Sequence, residues 1–267
     1  MRRAVLTLTV AATGLILLGC ASSSRTGESS STTSSQSGPS TTAVSGTVNV
    51  FAASSLREAF TTLGQQFEAT HPGTKVVFNF GPSSGLATQI AAGAPADVFA
   101  AASTKNMDQV VAAGRATAPM MFASNVMQIA VPARNPAGLT SLSDLARPGV
   151  KVALCQAVVP CGVTAAKAFA NAKLQLTPVT QELDVKAVLT KVTLGEVDAG
   201  VVYLTDVRAA GAKVRAIEIP TDLDASTEYP IATLTNVPNQ ATAQAFADYV
   251  LSADGARILI SAGFSKP

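Results

Sequence analysis

The stretch TVNVFAASSLREAFTTLGQQFEATHPGTKVVFNFGPSSGLATQI, residues 47–90, decides the architecture. Its opening TVNVFAA (47–53) is apolar and β-prone and reads as a strand. The hydrophobic period then changes: Leu56, Phe60, Leu63 and Phe67 fall at helical spacing and form one apolar face. His71-Pro72-Gly73 stops that helix. KVVFNF (75–80) is a second strand, and Leu86 with Ile90 marks one face of a short helix. Strand, helix, strand, helix with short connections is the rhythm of a parallel sheet covered by helices.

The same alternation continues outward. ADVFAAAS (96–103) reads as a strand, residues 104–113 as a helix, and VMQIAVPA (126–133) as a strand ended by Pro132. KVALC (151–155), AGVVYL (199–204), KVRAIEIP (213–220) and YPIATLT (229–235) are further strands, and helical stretches cover 162–171, 184–194, 239–251 and 253–262. So many elements in one α/β chain suit two lobes better than a single doubly wound sheet, and no internal repeat is visible. We place lobe 1 at 46–126 with a return segment 231–267, and lobe 2 at 127–230. The long apolar strands 126–133 and 229–235 are the segments expected to cross between them.

Upstream of Gly46 the composition changes. MRR followed by AVLTLTVAATGLILL has the charged start and the apolar core of a secretory signal, too short to span a bilayer comfortably. It ends in Gly19-Cys20 and resembles the bacterial lipoprotein signal, in which residues 1–19 are removed and Cys20 is lipidated; an ordinary signal peptide with an incidental Cys20 is the alternative. Residues 20–45 are rich in Ser and Thr with almost nothing to bury, a composition expected to be a disordered tether. Together these imply a folded domain anchored by lipid to the outer face of the cell membrane.

Charge excludes several classes of function. The 267 residues contain 19 Lys and Arg against 17 Asp and Glu, and Arg2 and Arg3 belong to the leader, so the mature surface is close to neutral. That argues against a nucleic-acid partner. A single His excludes a multi-histidine metal centre. Charged residues make up 13%, half the roughly 25% of an average soluble domain. With Cys20 assigned to lipid, Cys155 and Cys161 remain, and outside the membrane an even remainder favours a disulfide; two free buried thiols are the other reading. Two sulfurs without a His cluster make a poor metal site.

The chain has no GxSxG elbow, no GxxxxGK[ST] loop and no GxGxxG after a strand. Its one His, His71, sits in a helix-terminating turn. Asp97, Asp184, Asp198 and Asp206 are scattered near element ends and define no carboxylate pair. A catalytic reading is therefore weak.

A binding reading has more to build on. Three strand-to-helix junctions carry small or hydroxyl residues: Ser54 and Ser55; Gly81, Ser83, Ser84 and Gly85; and Cys161, Gly162 and Thr164. The first turn of a helix presents unsatisfied N–H groups and a partial positive charge. Several such ends converging make an anion site without Lys or Arg. A cage that offers only donors favours a fully deprotonated oxyanion. Each Ser also reads as an ordinary N-cap. Tyr203 closes the apolar strand AGVVYL, where its hydroxyl is either a further donor or a packing group.

At these residues a resemblance becomes specific. VFAASSLREAF, FNFGPSSGLATQIAAGAPADVFAAAS, VPCGVTAAKAF, LDVKAVLTKVTLGEVDAGVVYLTDV and EYPIATLTN, in this order over about 47–264, are similar to the molybdate-binding proteins of bacterial ABC transporters. The resemblance implies the two-lobe α/β fold of periplasmic binding proteins (type II-like), with the ligand cleft between lobes joined by crossover strands. It implies no catalysis and no cofactor: the ligand is a molybdate or tungstate oxyanion, the partner an ABC permease in the membrane, and the receptor a monomer. It also implies a ligand set: the hydroxyls of Ser55 and Ser83, the backbone amides of Cys161 and Val185, and the Tyr203 hydroxyl, with Ser54 and Ser84 as additional candidates. Three positions depart from the pattern, Cys161 and Ser54 where Ala is common and Pro82 where a small polar residue is common. If Cys161 is bridged to Cys155, the bridge stiffens one wall of the site. The alternatives are a receptor for another tetrahedral oxyanion such as sulfate or phosphate, a receptor for a ferric complex, and, remotely, an exported α/β enzyme.

Overall fold

The computed structural model describes residues 44–267; the leader, Cys20 and most of the tether lie outside the described residues. From the first strand the chain runs β1 (Gly46–Ala53), α1 (Arg57–Thr70), β2 (Thr74–Gly81), α2 (Ser83–Ala91), β3 (Val98–Ala100), α3 (Thr104–Ala112) and β4 (Met120–Pro132). It continues with β5 (Val152–Cys155), α4 (Pro160–Asn171), β6 (Thr180–Glu182), α5 (Val185–Thr193), β7 (Ala199–Tyr203), α6 (Leu204–Ala210) and β8 (Val214–Glu218). β9 (Ser226–Thr233), α7 (Gln240–Leu251) and α8 (Ala253–Ala262) close it.

Strand pairing divides these elements into two halves. β1 lies between β2 and β3, parallel to both, and β3 is followed by antiparallel β9. In the second half β5 is parallel to β6 and β7. β4 belongs to both. Its residues up to Val126 pair antiparallel with β9, and from Met127 onward it pairs antiparallel with β7 and, beside it, β8. The hand-over falls between Val126 and Met127, and β9 stays with the first half along its whole length.

Each half has its own core. In β1 the side chains alternate: Val48, Val50 and Ala52 face Phe60, Leu63, Phe67 and Phe246, while Phe51 faces Leu86, Ile90, Phe99 and Met107. A strand buried on both faces is characteristic of parallel sheets with helices on either side. The second core gathers β4, β5 and β7 with Val185, Val188 and Val192 of α5 and Ala165, Ala168 and Phe169 of α4. His71 caps the end of α1 by stacking on Phe67, with centroids 4.1 Å apart, so the one histidine serves packing.

Three elements differ from the sequence reading. β4 starts at Met120 and not at 126: its first residues, with Met120 and Met121 exposed and Phe122 and Ala123 buried, are held by β9 across a bulge at Met121–Ala123. β6, the polar triplet Thr180-Gln181-Glu182, is an edge strand with no apolar signature. α6 follows β7 without any intervening Gly or Pro, and its start is fixed by Asp206, whose carboxylate accepts the Tyr203 amide at 3.1 Å.

Candidate anion-binding site

Parallel strands end where helices begin, and these junctions form one place in the molecule. β1 leads through a 3-10 turn, Ser54–Leu56, into α1; β2 leads through Pro82 into α2; β5 leads through Val159 into α4; Asp184 opens α5. A cavity of about 230 Å³ of free space, its open mouth included, lies among them. Its wall contains Ser54, Ser55, Ser83, Cys161, Val185 and Tyr203. Ser84 is not in that wall: one residue beyond Ser83 on a helix points about 100° away.

The caps explain why this place has donors to offer. The residues that precede the first three helical segments are Ala53, Pro82 and Val159, none of which makes a side-chain cap. Their first-turn amides have no intrahelical acceptor. The contrast is α8, where Ser252 caps its own helix by accepting the Gly255 amide. In α5 the Asp184 carboxylate takes the amides of Lys186 and Ala187 at 2.8 and 3.0 Å. That leaves the Val185 amide as the one facing the cavity.

Hydroxyl roles follow from their partners. Ser83 is 1% exposed, and its Oγ accepts the Ala102 amide at 3.0 Å, so its own proton points elsewhere. Ser55 Oγ lies 2.9 Å from the Tyr229 hydroxyl, which steers it from the far side. Ser54 donates to Asp184 Oδ2 at 3.1 Å and so has no proton left for a ligand. Tyr203 is different. Its hydroxyl is buried in the wall near the hydroxyls of Thr164 and Tyr229, but it meets no partner among the described residues in hydrogen-bond geometry. Burial pushes both the Tyr203 and Tyr229 phenols up, which keeps them protonated donors.

Asp184 alone among the described lining residues carries a charge, and both of its oxygens already accept hydrogen bonds. Lys186, two residues beyond Asp184, is committed elsewhere: its ammonium lies 2.9 Å from Asp206 Oδ1 and 2.7 Å from Glu58 Oε2. Burial opposes its charge, yet the two carboxylates outweigh that and raise its pKa. The remaining isolated Asp residues have structural partners: Asp97 holds the Asn49 amide at 2.7 Å and Asp198 the Lys151 amide at 2.8 Å.

Cys155 and Cys161 form a disulfide, S–S 2.03 Å, which clips the end of β5 to the first turn of α4. Gly162 packs so tightly there that a Cβ would stand 2.0 Å from the Gln156 carbonyl oxygen. Sequence reasoning did not find Tyr229, Ala102, Glu58 or Lys186, the groups that orient the wall from behind.

Residues 48–265 match the family model described as bacterial extracellular solute-binding protein. The chain belongs to this family of solute receptors. It is 44% identical over 240 residues to the molybdate-binding protein ModA of Mycobacterium tuberculosis, covering 90% of this chain and 91% of that protein. It is 34% identical over 232 residues to ModA of Escherichia coli, covering 82% and 89%. In architecture it is similar to the periplasmic molybdate-binding protein of Azotobacter vinelandii, with a TM-score of 0.74 at 20% identity over 82% of this chain and 99% of the other. That last likeness concerns the fold, the mixed α/β architecture of periplasmic binding proteins. Membership in the family makes the chain a transport receptor and not an enzyme, consistent with an ABC permease as its partner.

Proposed function

We propose that this protein captures molybdate outside the cytoplasm and delivers it to an ABC permease. The anion sits in the cavity between lobe 1 and lobe 2. The bounds read from sequence, 46–126 with 231–267 and 127–230, shift at one place, because β9 pairs with the first half from Ser226 onward. The lobes therefore close on the anion about the hand-over in β4 and the entry to β9. Ser55 and Ser83 donate from lobe 1; the Cys161 and Val185 amides and the Tyr203 hydroxyl donate from lobe 2. Lipid on Cys20 and the 20–45 tether keep the receptor beside its permease.

The observation that carries this reading is the buried, unpartnered Tyr203 hydroxyl in a wall of uncapped helix starts. A buried hydroxyl without a partner costs about 1–3 kcal/mol, and an oxyanion there removes that cost. The wall's one carboxylate, Asp184, already accepts hydrogen bonds on both oxygens. A dianion that still carries a proton, such as hydrogen phosphate, would find only hydroxyl and carbonyl oxygens to receive it, weaker acceptors than a carboxylate. A fully deprotonated tetrahedral dianion needs donors alone. Molybdate is chosen over sulfate because the relatives at 44% and 34% identity are molybdate-binding proteins; tungstate, with the same charge and shape, is expected to bind the same donors.

Thermal unfolding with molybdate, tungstate, sulfate and phosphate tests this. Ligand at 100 times its Kd stabilises the folded state by about 2.7 kcal/mol, so molybdate raises Tm by several degrees. Stabilisation by sulfate or phosphate with none by molybdate would overturn the assignment.

A further inference from the structure

The two halves meet beside the cavity through four side chains from two short segments. Ser54 and Glu58 stand at the entry to α1, about one helical turn apart. Asp184 and Lys186 flank Val185 at the start of α5. Across the gap Ser54 Oγ donates to Asp184 Oδ2 at 3.1 Å, and Lys186 Nζ donates to Glu58 Oε2 at 2.7 Å. Each of the α5 residues is also anchored within its own half. Asp184 Oδ1 takes the Lys186 and Ala187 amides, and the Lys186 ammonium lies 2.9 Å from Asp206, which is fully buried.

The geometry points to these two contacts as a clasp: Asp184 and Lys186 are positioning residues that hold the Val185 amide over the captured anion, and Ser54 and Glu58 fasten them to the opposite half. The inference rests on the proposed function. It follows from where the bonds lie. A helix cap needs one carboxylate oxygen, and the second oxygen of Asp184 is occupied by a Ser hydroxyl that is itself 4% exposed. A lysine neutralising Asp206 needs one partner, yet Lys186 reaches a second carboxylate in the other half. Any motion that separates the halves breaks both bonds and leaves the intra-half anchors intact. The clasp therefore exists only in the closed form and acts on escape of the ligand more than on its capture.

The test is stopped-flow binding and calorimetry on Ser54→Ala, Glu58→Gln and the double variant, with Ser54→Thr retaining the hydroxyl. Neither substitution removes an anion donor. Ser54→Ala is expected to raise the dissociation rate about tenfold, the size of one hydrogen bond to a charged group. Glu58→Gln, in a pair that is half exposed on one side, is expected to raise it only about two- to threefold. Association rates and ligand-free Tm stay near wild type, and Ser54→Thr restores slow release. Unchanged dissociation in both single variants, or a loss expressed in association or in ligand-free Tm, overturns the clasp. The anion used is whichever one stabilises the wild type, so a wrong ligand assignment appears in the wild-type titration and a wrong clasp appears in the variants.

Discussion

The two walls of the cavity are built on opposite principles. On the first-half wall the hydroxyls are already held: Ser83 by the Ala102 amide, Ser55 by Tyr229. On the second-half wall the Tyr203 hydroxyl has no partner. Uncapped helix starts occur in both halves, so the walls differ in their hydroxyls: one set is held when the cavity is empty and the other is not. In the proposed function the first wall is thus a landing surface whose donors are aimed beforehand, with little to reorganise on binding. The second carries a penalty in the closed, empty state that either water, on opening, or an anion, on binding, relieves. Closure is in this way tied to occupancy without any charged residue donating to the ligand.

The largest effect expected from breaking this comparison comes from a pair of glycines, one behind each wall in the first turn of α4 and of α2. In the second half, a Cβ at Gly162 would stand 2.0 Å from the Gln156 oxygen and 2.9 Å from the Cys155 oxygen, both backbone atoms that the disulfide holds in place. Gly162→Ala is expected to cost about 3 kcal/mol or more of stability and to misplace the Cys161 amide, which abolishes tight binding. In the first half, Gly85 sits in the opening turn of α2, and its Cβ would meet only Pro82 Cγ at 3.4 Å. Gly85→Ala is expected to be neutral or to gain up to about 1 kcal/mol from helix propensity. Chemical denaturation and calorimetry of the two variants check this; equal losses would mean the walls do not differ in rigidity.

A sharper comparison uses the two tyrosines, whose rings lie 6.2 Å apart and are both fully buried. Tyr203→Phe removes an unpartnered hydroxyl, so ligand-free stability holds or rises, while affinity falls about 10- to 100-fold. Tyr229→Phe removes the partner of Ser55, so ligand-free stability falls by about 1 kcal/mol, with a smaller change in affinity. Thermal unfolding and titration of each variant separate the two. If Tyr203→Phe destabilised the ligand-free protein as Tyr229→Phe does, its hydroxyl would have a partner and the asymmetry of the walls would be gone.

What could be read from the chain follows the same division. Ser55, Ser83 and the first turn of α4 are legible because each lies where a run of strand residues gives way to helical spacing. Tyr203 is legible because it ends an apolar strand in a chain with few tyrosines. The groups that aim these donors are not. Ser55 meets Tyr229 across 174 residues, and Lys186 meets Glu58 across 128; a surface lysine and glutamate look alike wherever the fold puts them. Ser54 and Ser84 show the limit of reading a junction without its geometry, since both are hydroxyls near a helix start. Ser54 gives its proton to Asp184, and Ser84 is turned out of the wall by the helical repeat.

The smallest effect lies in the alkaline range and tests whether both phenols are held from water. Burial raises the pKa of Tyr203 and of Tyr229 in the folded state above the ordinary value near 10. Each therefore contributes stability that is fully present below pH 10. As pH rises past 10 the unfolded chain loses these protons and the folded protein keeps them, so unfolding becomes easier until the folded pKa is reached. At pH 10.5 the loss is on the order of 1 kcal/mol for each such tyrosine. Denaturation curves at pH 8 and 10.5 are expected to show a smaller drop in Tyr203→Phe and in Tyr229→Phe, by about that amount each. Saturating anion separates them: if the Tyr203 phenol meets solvent in the empty cavity, an anion held over it raises its pKa and deepens the wild-type drop. If both phenols are sealed in by the closed lobes, the drop is the same with and without anion. A drop unaffected by either substitution would place both hydroxyls in contact with solvent, and the cavity would then have no dry wall for a dianion to displace water from.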